Sequence, residues 1–175
     1  AIALLSNNNR LDTASDSQTF YFSGLNIGKY TGGGYDQIQY MSNVRIVKGS
    51  CAYDISQSTY TQPSIPLTAI ANTKLLLNFT NASIIDSTMK NNLETVGDAQ
   101  IDTSIKKFGT GSIQFDGNDK LHNNQVNELF YMGTGDFTAE CFFYSSATQS
   151  DGDPGSLMIY IGNGGENAIW VFFFF

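Results

Sequence analysis

The chain has 175 residues, 41% of them hydrophobic and 14% charged, with a net charge of -7. That length suits one large all-β domain or parts of two, and so much apolar material argues against long disordered stretches. Nine basic residues scattered through an acidic chain make no phosphate-binding patch, which argues against nucleic acid. No apolar segment reaches the roughly 20 residues of a membrane-spanning helix, which argues against membrane insertion.

The 17 glycines, 13 phenylalanines and 9 tyrosines favour strands and turns over helices. A turn is expected at Gly32-Gly33-Gly34, where glycine supplies positive φ. Over residues 37–48 the apolar positions Ile38, Tyr40, Val44 and Ile46 alternate with polar ones, the period of a half-buried strand. Pro63 and Pro66 then break the pattern, because proline denies a ladder hydrogen bond. The boundaries read as 1–62, a connector at 63–72, and 73–175, where a fresh apolar run spans 75–79.

Further on, Ile113 and Phe115 begin another alternation, and Phe137, Ala139, Cys141 and Phe143 repeat it with Thr138 and Glu140 on the other face. Leu157, Ile159 and Ile161 line one side of a later strand, and residues 169–175 are intensely apolar, a stretch that needs cover on both faces or forms the front of a longer buried segment. Only residues 87–92 and 124–130 read as helical turns. The fold class is therefore all-β, an antiparallel sandwich. Cys51 and Cys141 both fall where strands place small apolar residues, which favours two buried free thiols over a disulfide.

Several of these pieces resemble one family. The strand at 24–28, Tyr40-Met41-Ser42-Asn43-Val44-Arg45-Ile46-Val47-Lys48-Gly49, the Ala52-Tyr53 pair and the exit at 60–66 look like the close of a laminin-G-like, concanavalin-A-like jelly roll. Ile85-Asp86-Ser87, Phe108-Gly109-Thr110-Gly111-Ser112 and Gly133-Thr134-Gly135-Asp136-Phe137-Thr138-Ala139-Glu140-Cys141 look like the opening of the next. Such domains occur in tandem in structural proteins of bacteriophages and other viruses. The pieces appear in the family's order across most of the chain. The resemblance thus implies the C-terminal portion of one jelly roll at 1–62 and the N-terminal portion of a second at 73–175. The alternative arrangement is a single permuted sandwich, since jelly rolls place their termini close together. The chain departs from the pattern at Phe142, where the family usually has Trp, and at Asn43, where it often has an acid.

Chemistry is sparse. His122, the only histidine, sits in a polar stretch without a nucleophile elbow and reads as a surface-loop residue. Glycosidases need two carboxylates about 5–10 Å apart, and glucanases that resemble this fold carry paired acids on one strand. Here Glu140 stands alone and reads as an outward strand residue, so no enzyme is expected. Calcium takes oxygen ligands, and Asp116, Asn118 and Asp119 supply one oxygen-rich loop and Asp151 with Asp153 another. The same residues are ordinary turn chemistry, because Asp and Asn hydrogen-bond their own backbone. Sugar binding would use exposed aromatic faces, for which Tyr30, Tyr35 and Tyr131 are the candidates. Trp170 reads as core.

The resemblance implies a structural and adhesive component of a virion surface, tail or fibre. Its partners would be other virion subunits or further copies of itself, and its exposed loops would meet host surface glycans. The other reading is a secreted carbohydrate-binding module or adhesin domain. A glycoside hydrolase ranks last.

Overall fold

The structure is a computed structural model that describes residues 2–6, 8–14, 24–29, 39–81, 83–123, 128–145, 156–162 and 168–173. Among them there is no α-helix, and antiparallel strands form two five-stranded sheets and a separate hairpin. The hairpin joins β1 (Ile2–Ser6) to β2 (Asn9–Ala14).

In the first sheet β4 (Gln39–Lys48) is the central strand. Along one edge it pairs with β10 (Phe137–Ser145). Its other edge is shared: β5 (Thr73–Leu77) takes the Val44–Val47 half, and β8 (Ser112–Phe115) takes Gln39 to Met41. Beyond β8 lies β7 (Gln100–Asp102). The second sheet runs β12 (Ile169–Phe173), β11 (Ser156–Ile161), β3 (Leu25–Ile27), β9 (Lys120–Asn123), β6 (Glu94–Val96). Each five-stranded sheet therefore holds one strand from before the Pro63–Pro66 segment, β4 or β3, flanked on both sides by strands from after it.

The core lies between the sheets. Met41, Val44, Ile46, Leu75, Leu77, Ile113 and Phe115 from the first meet Leu25, Ile27, Leu121, Ile159 and Ile161 from the second, all buried. Phe137, Ala139, Cys141 and Phe143 pack against this cluster, which is the face the alternation of β10 predicts. Gly111 of the Phe-Gly-x-Gly-Ser motif has a packing reason: a Cβ there would stand 2.8 Å from Ile101 and 3.1 Å from the Phe79 carbonyl.

In β4 the expected register holds only in part. Val44 and Ile46 point inward, but so does Met41, while Tyr40 lies on the outer face against Tyr144, ring centroids 6.1 Å apart. The cause is a bulge. Arg45 stands opposite Glu140 and Ser42 opposite Phe142, so Asn43 and Val44 together face Cys141. Asn43 takes φ 55°, a conformation Asn tolerates better than most residues. Its side chain then holds the connector, its Oδ1 accepting from the Leu67 N–H at 3.0 Å.

Two further expectations need correction. Cys141 packs on the core as a thiol outside any disulfide, its pKa pushed up to about 12 by burial and by the charge of Glu140. Cys51, likewise outside any disulfide, is exposed, because β4 ends at Lys48 and Cys51 falls in the following loop. Of the two expected helical turns, residues 87–92 instead form an irregular turn, whereas the second holds a 3₁₀ turn at Glu128–Phe130, its residues 124–127 lying outside the described residues.

Candidate functional site

The turn after β6 and the turn between β8 and β9 meet at one rim. Asp119 is only 2% exposed. Its Oδ1 accepts the Asp98 N–H and its Oδ2 the Asp116 N–H, both at 2.9 Å. Gly97 makes that approach feasible: it has φ +83°, and a Cβ there would lie 2.1 Å from the Asp119 Oδ1. Asp116 in turn accepts the Asn118 N–H at 3.0 Å, an ordinary Asx turn. One carboxylate oxygen from each of Asp98, Asp116 and Asp119 lies within 4.8 Å of the others.

Burial raises the pKa of Asp119 above the usual carboxylate value. The two backbone N–H bonds pull it down, the charge of Asp116 pushes it up again, and the balance stays high. Calcium needs six to eight oxygens, and these three residues offer one each. Lys29 donates to the Gly117 carbonyl of the same turn at 3.1 Å, placing a cation beside it.

Asp116, Asn118 and Asp119 thus share one turn, and Asp98 joins them from 21 residues away. The sequence reading missed Asp98, whose only signal is the Gly97-Asp98 dipeptide between two very short strands. Asp151, Asp153, Tyr30 and Tyr35 lie outside the described residues. Tyr131 follows the 3₁₀ turn and is 39% exposed. His122 is not a loop residue. It sits in β9 between Asn26 of β3 and Glu94 of β6, half-buried, its Nδ1 2.5 Å from the Asn26 Oδ1. The polar run around it had hidden a strand whose inner positions are only Leu121 and Asn123.

Glu140 does point away from the core, yet it is covered. Arg45, directly opposite on β4, donates from Nε to its Oε1 at 2.6 Å, and the Arg45 Nη2 lies 2.5 Å from the same oxygen. Tyr53 donates to the Oε2 at 2.5 Å. Burial, then this hydrogen bond and the charge of Glu140, hold the Tyr53 hydroxyl well above its usual pKa. Arg45 also donates to the Thr68 carbonyl at 2.8 Å, and the Ala52 N–H donates to the Thr138 hydroxyl at 2.8 Å. Together these bonds clamp the long loop after β4 onto the outer face of the first sheet.

Beyond the clamp the loop frames a cleft of about 480 Å³. One wall is the Tyr60–Ser64 stretch, with Asn8 from the β1–β2 turn, and the other is Lys107 and Phe108. Tyr60 packs edge-on against Tyr53 with centroids 5.2 Å apart. Phe108 packs edge-on against Phe142 of β10 at 5.1 Å. Tyr131 does not line this cleft.

Compared with known protein families, curated proteins and solved structures, the chain finds no match.

Proposed function

We propose that this chain is a contact module, a structural and adhesive component of a virion surface, tail or fibre that assembles by β-sandwich packing and presents loops outward. The viral setting rests on the ordered motifs that resemble tandem laminin-G-like jelly rolls. Fold resemblance alone does not assign a task, and one further observation supports contact over catalysis. Glu140, the acid of the Gly-x-Gly-Asp-Phe-Thr-x-Glu-Cys strand, is engaged by Arg45 and Tyr53 as an anchor for the overlying loop. A carboxylate held this way is a poor general acid or nucleophile, because its oxygens already face strong donors.

Size-exclusion chromatography with light scattering tests the reading, with electron microscopy of the same sample. A defined multimer or filament is the expected result. A monomer that binds a saccharide unaided would overturn assembly and favour the carbohydrate-binding module.

A further inference from the structure

We infer that the cleft between the Tyr60–Ser64 stretch and Phe108 is a binding site for an acidic saccharide, a pyranose bearing a carboxylate or a sulfate. The inference deepens the adhesive reading, because it assigns a ligand class and a place to the glycan contact. At about 480 Å³ the cleft lies within the range of small-molecule sites, roughly 300–1,000 Å³.

Its lining combines three kinds of group. Tyr60, Pro63 and Phe108 are each half-buried and supply ring surfaces for the C–H faces of a sugar. The side chains of Thr61, Gln62 and Ser64 make no hydrogen bond among the described residues, leaving two hydroxyls and an amide for sugar hydroxyls. Lys107 is exposed, with its Nζ 5.9 Å from the Phe108 centroid, and supplies the one charge.

That charge is informative. The chain carries 16 acidic and 9 basic residues, yet among the described residues one ammonium and no carboxylate line this cleft. An anion is therefore the complementary partner. A phosphate is held best by several convergent backbone N–H groups or a guanidinium fork; no Arg is among the described residues of the lining, and two of the backbone donors on the Tyr60–Ser64 wall are already engaged. The Tyr60 N–H bonds to the Asn8 carbonyl at 3.1 Å, and the Gln62 N–H to the Asn8 Oδ1 at 2.8 Å. A single ammonium at the edge of ring surfaces suits a sugar acid.

The walls are also held in advance. Asn8 takes φ 67° to make both bonds, Tyr60 rests on the Tyr53–Glu140–Arg45 clamp, and Phe108 rests on Phe142. A site that needs little ordering loses less affinity on binding.

The test is isothermal titration calorimetry of the intact chain with three probes: an oligogalacturonate, a sulfated galactan oligomer, and a neutral cello-oligosaccharide of matched length. The expected result is binding of at least one acidic probe, weakened by salt, with the neutral probe bound several-fold less tightly. Phe108→Ala should weaken the acidic probe by about tenfold. Lys107→Glu, on an exposed side chain that should not disturb folding, should weaken it at least threefold and remove the salt dependence. Equal affinity for the neutral probe, unchanged affinity in Lys107→Glu, or no binding of either acidic probe would overturn the inference. A multimer that binds no acidic sugar sinks the cleft alone, whereas a monomer that binds one sinks assembly alone.

Discussion

Asp86 and Asp119 are both buried aspartates in turns, 4% and 2% exposed, and their surroundings push them in opposite directions. The Asp86 carboxylate accepts six hydrogen bonds. The Leu76 and Thr88 N–H groups bind its Oδ1, and the Thr88 hydroxyl, the Lys90 and Asn91 N–H groups and the Asn91 amide bind its Oδ2. Burial opposes its charge, but these donors outweigh burial and hold its pKa below the usual value. Asp119 has two backbone donors and a neighbouring carboxylate, so burial wins and its pKa rises. Depth alone therefore does not decide whether a carboxylate stabilises a fold. The balance of donors against like charges does.

The work done by Asp86 is to seal an edge. Its loop lies along the side of β5 away from β4, where the Ser87 N–H bonds the Leu76 carbonyl at 2.8 Å and the Asn91 amide bonds the Lys74 carbonyl at 2.8 Å. An open edge beside these apolar strands would invite pairing with other chains. Asp86→Ala is expected to cost about 3 kcal/mol, because it strands several buried donors at once. In a chain of this size that lowers Tm by roughly 6–12 °C, readable by calorimetry. The pH dependence follows in sign. With a folded pKa below its ordinary 3.8, Asp86 contributes stability above pH 3.8 and loses it as pH falls through the folded value. The Ala variant should lack that part of the acid limb. A loss under about 1 kcal/mol would break the comparison, since water would then replace the donors nearly as well.

How much of this was visible in the chain can be judged from particular residues. β10 was legible in full, because nine residues of alternation report one face. β4 was legible as a strand but misread in register, since the extra residue at Asn43 moves Met41 inward and Tyr40 outward. β6 and β7 have three residues each, too few for a period, and β9 hid behind polar outward positions. The role of Asp86 was invisible. The Asp86-Ser87 step entered only as part of a family resemblance, and its donors come from both β5 and its own turn. The acidic rim was half legible: the Asp116–Asp119 turn is local, whereas Asp98 arrives through a tertiary contact. The cleft left no local trace, because its walls come from residues 8, 60–64 and 107–108.

The second prediction sharpens the comparison from the Asp119 side. Asp116→Asn keeps an oxygen for the Asn118 N–H but removes the like charge. It should stabilise the fold by about 0.5 kcal/mol at neutral pH, a small gain because burial, the larger cause, remains. Asp119 has a raised pKa, so its contribution is favourable below pH 3.8 and is lost as pH rises through the folded value. Denaturant midpoints measured from pH 4 upward should therefore fall less steeply in Asp116→Asn than in the parent. An identical slope would mean that Asp116 does not act on Asp119.

Calcium gives the smallest and most discriminating effect. Three clustered carboxylates resemble a hard-cation site, but Asp119 differs from a free ligand: each of its oxygens already accepts a backbone N–H, and Lys29 binds the carbonyl of Gly117 in the same turn. A cation would have to displace or share those donors while finding at least three more oxygens. At about 1 mM calcium the expected stabilisation is no more than about 0.4 kcal/mol, the value for a dissociation constant near 1 mM. Thermal unfolding with calcium against excess chelator measures it. A gain of about 2 kcal/mol that vanishes in Asp116→Asn would reverse the contrast, making the rim a metal-held turn and its raised pKa the mark of a missing cation instead of an internal conflict.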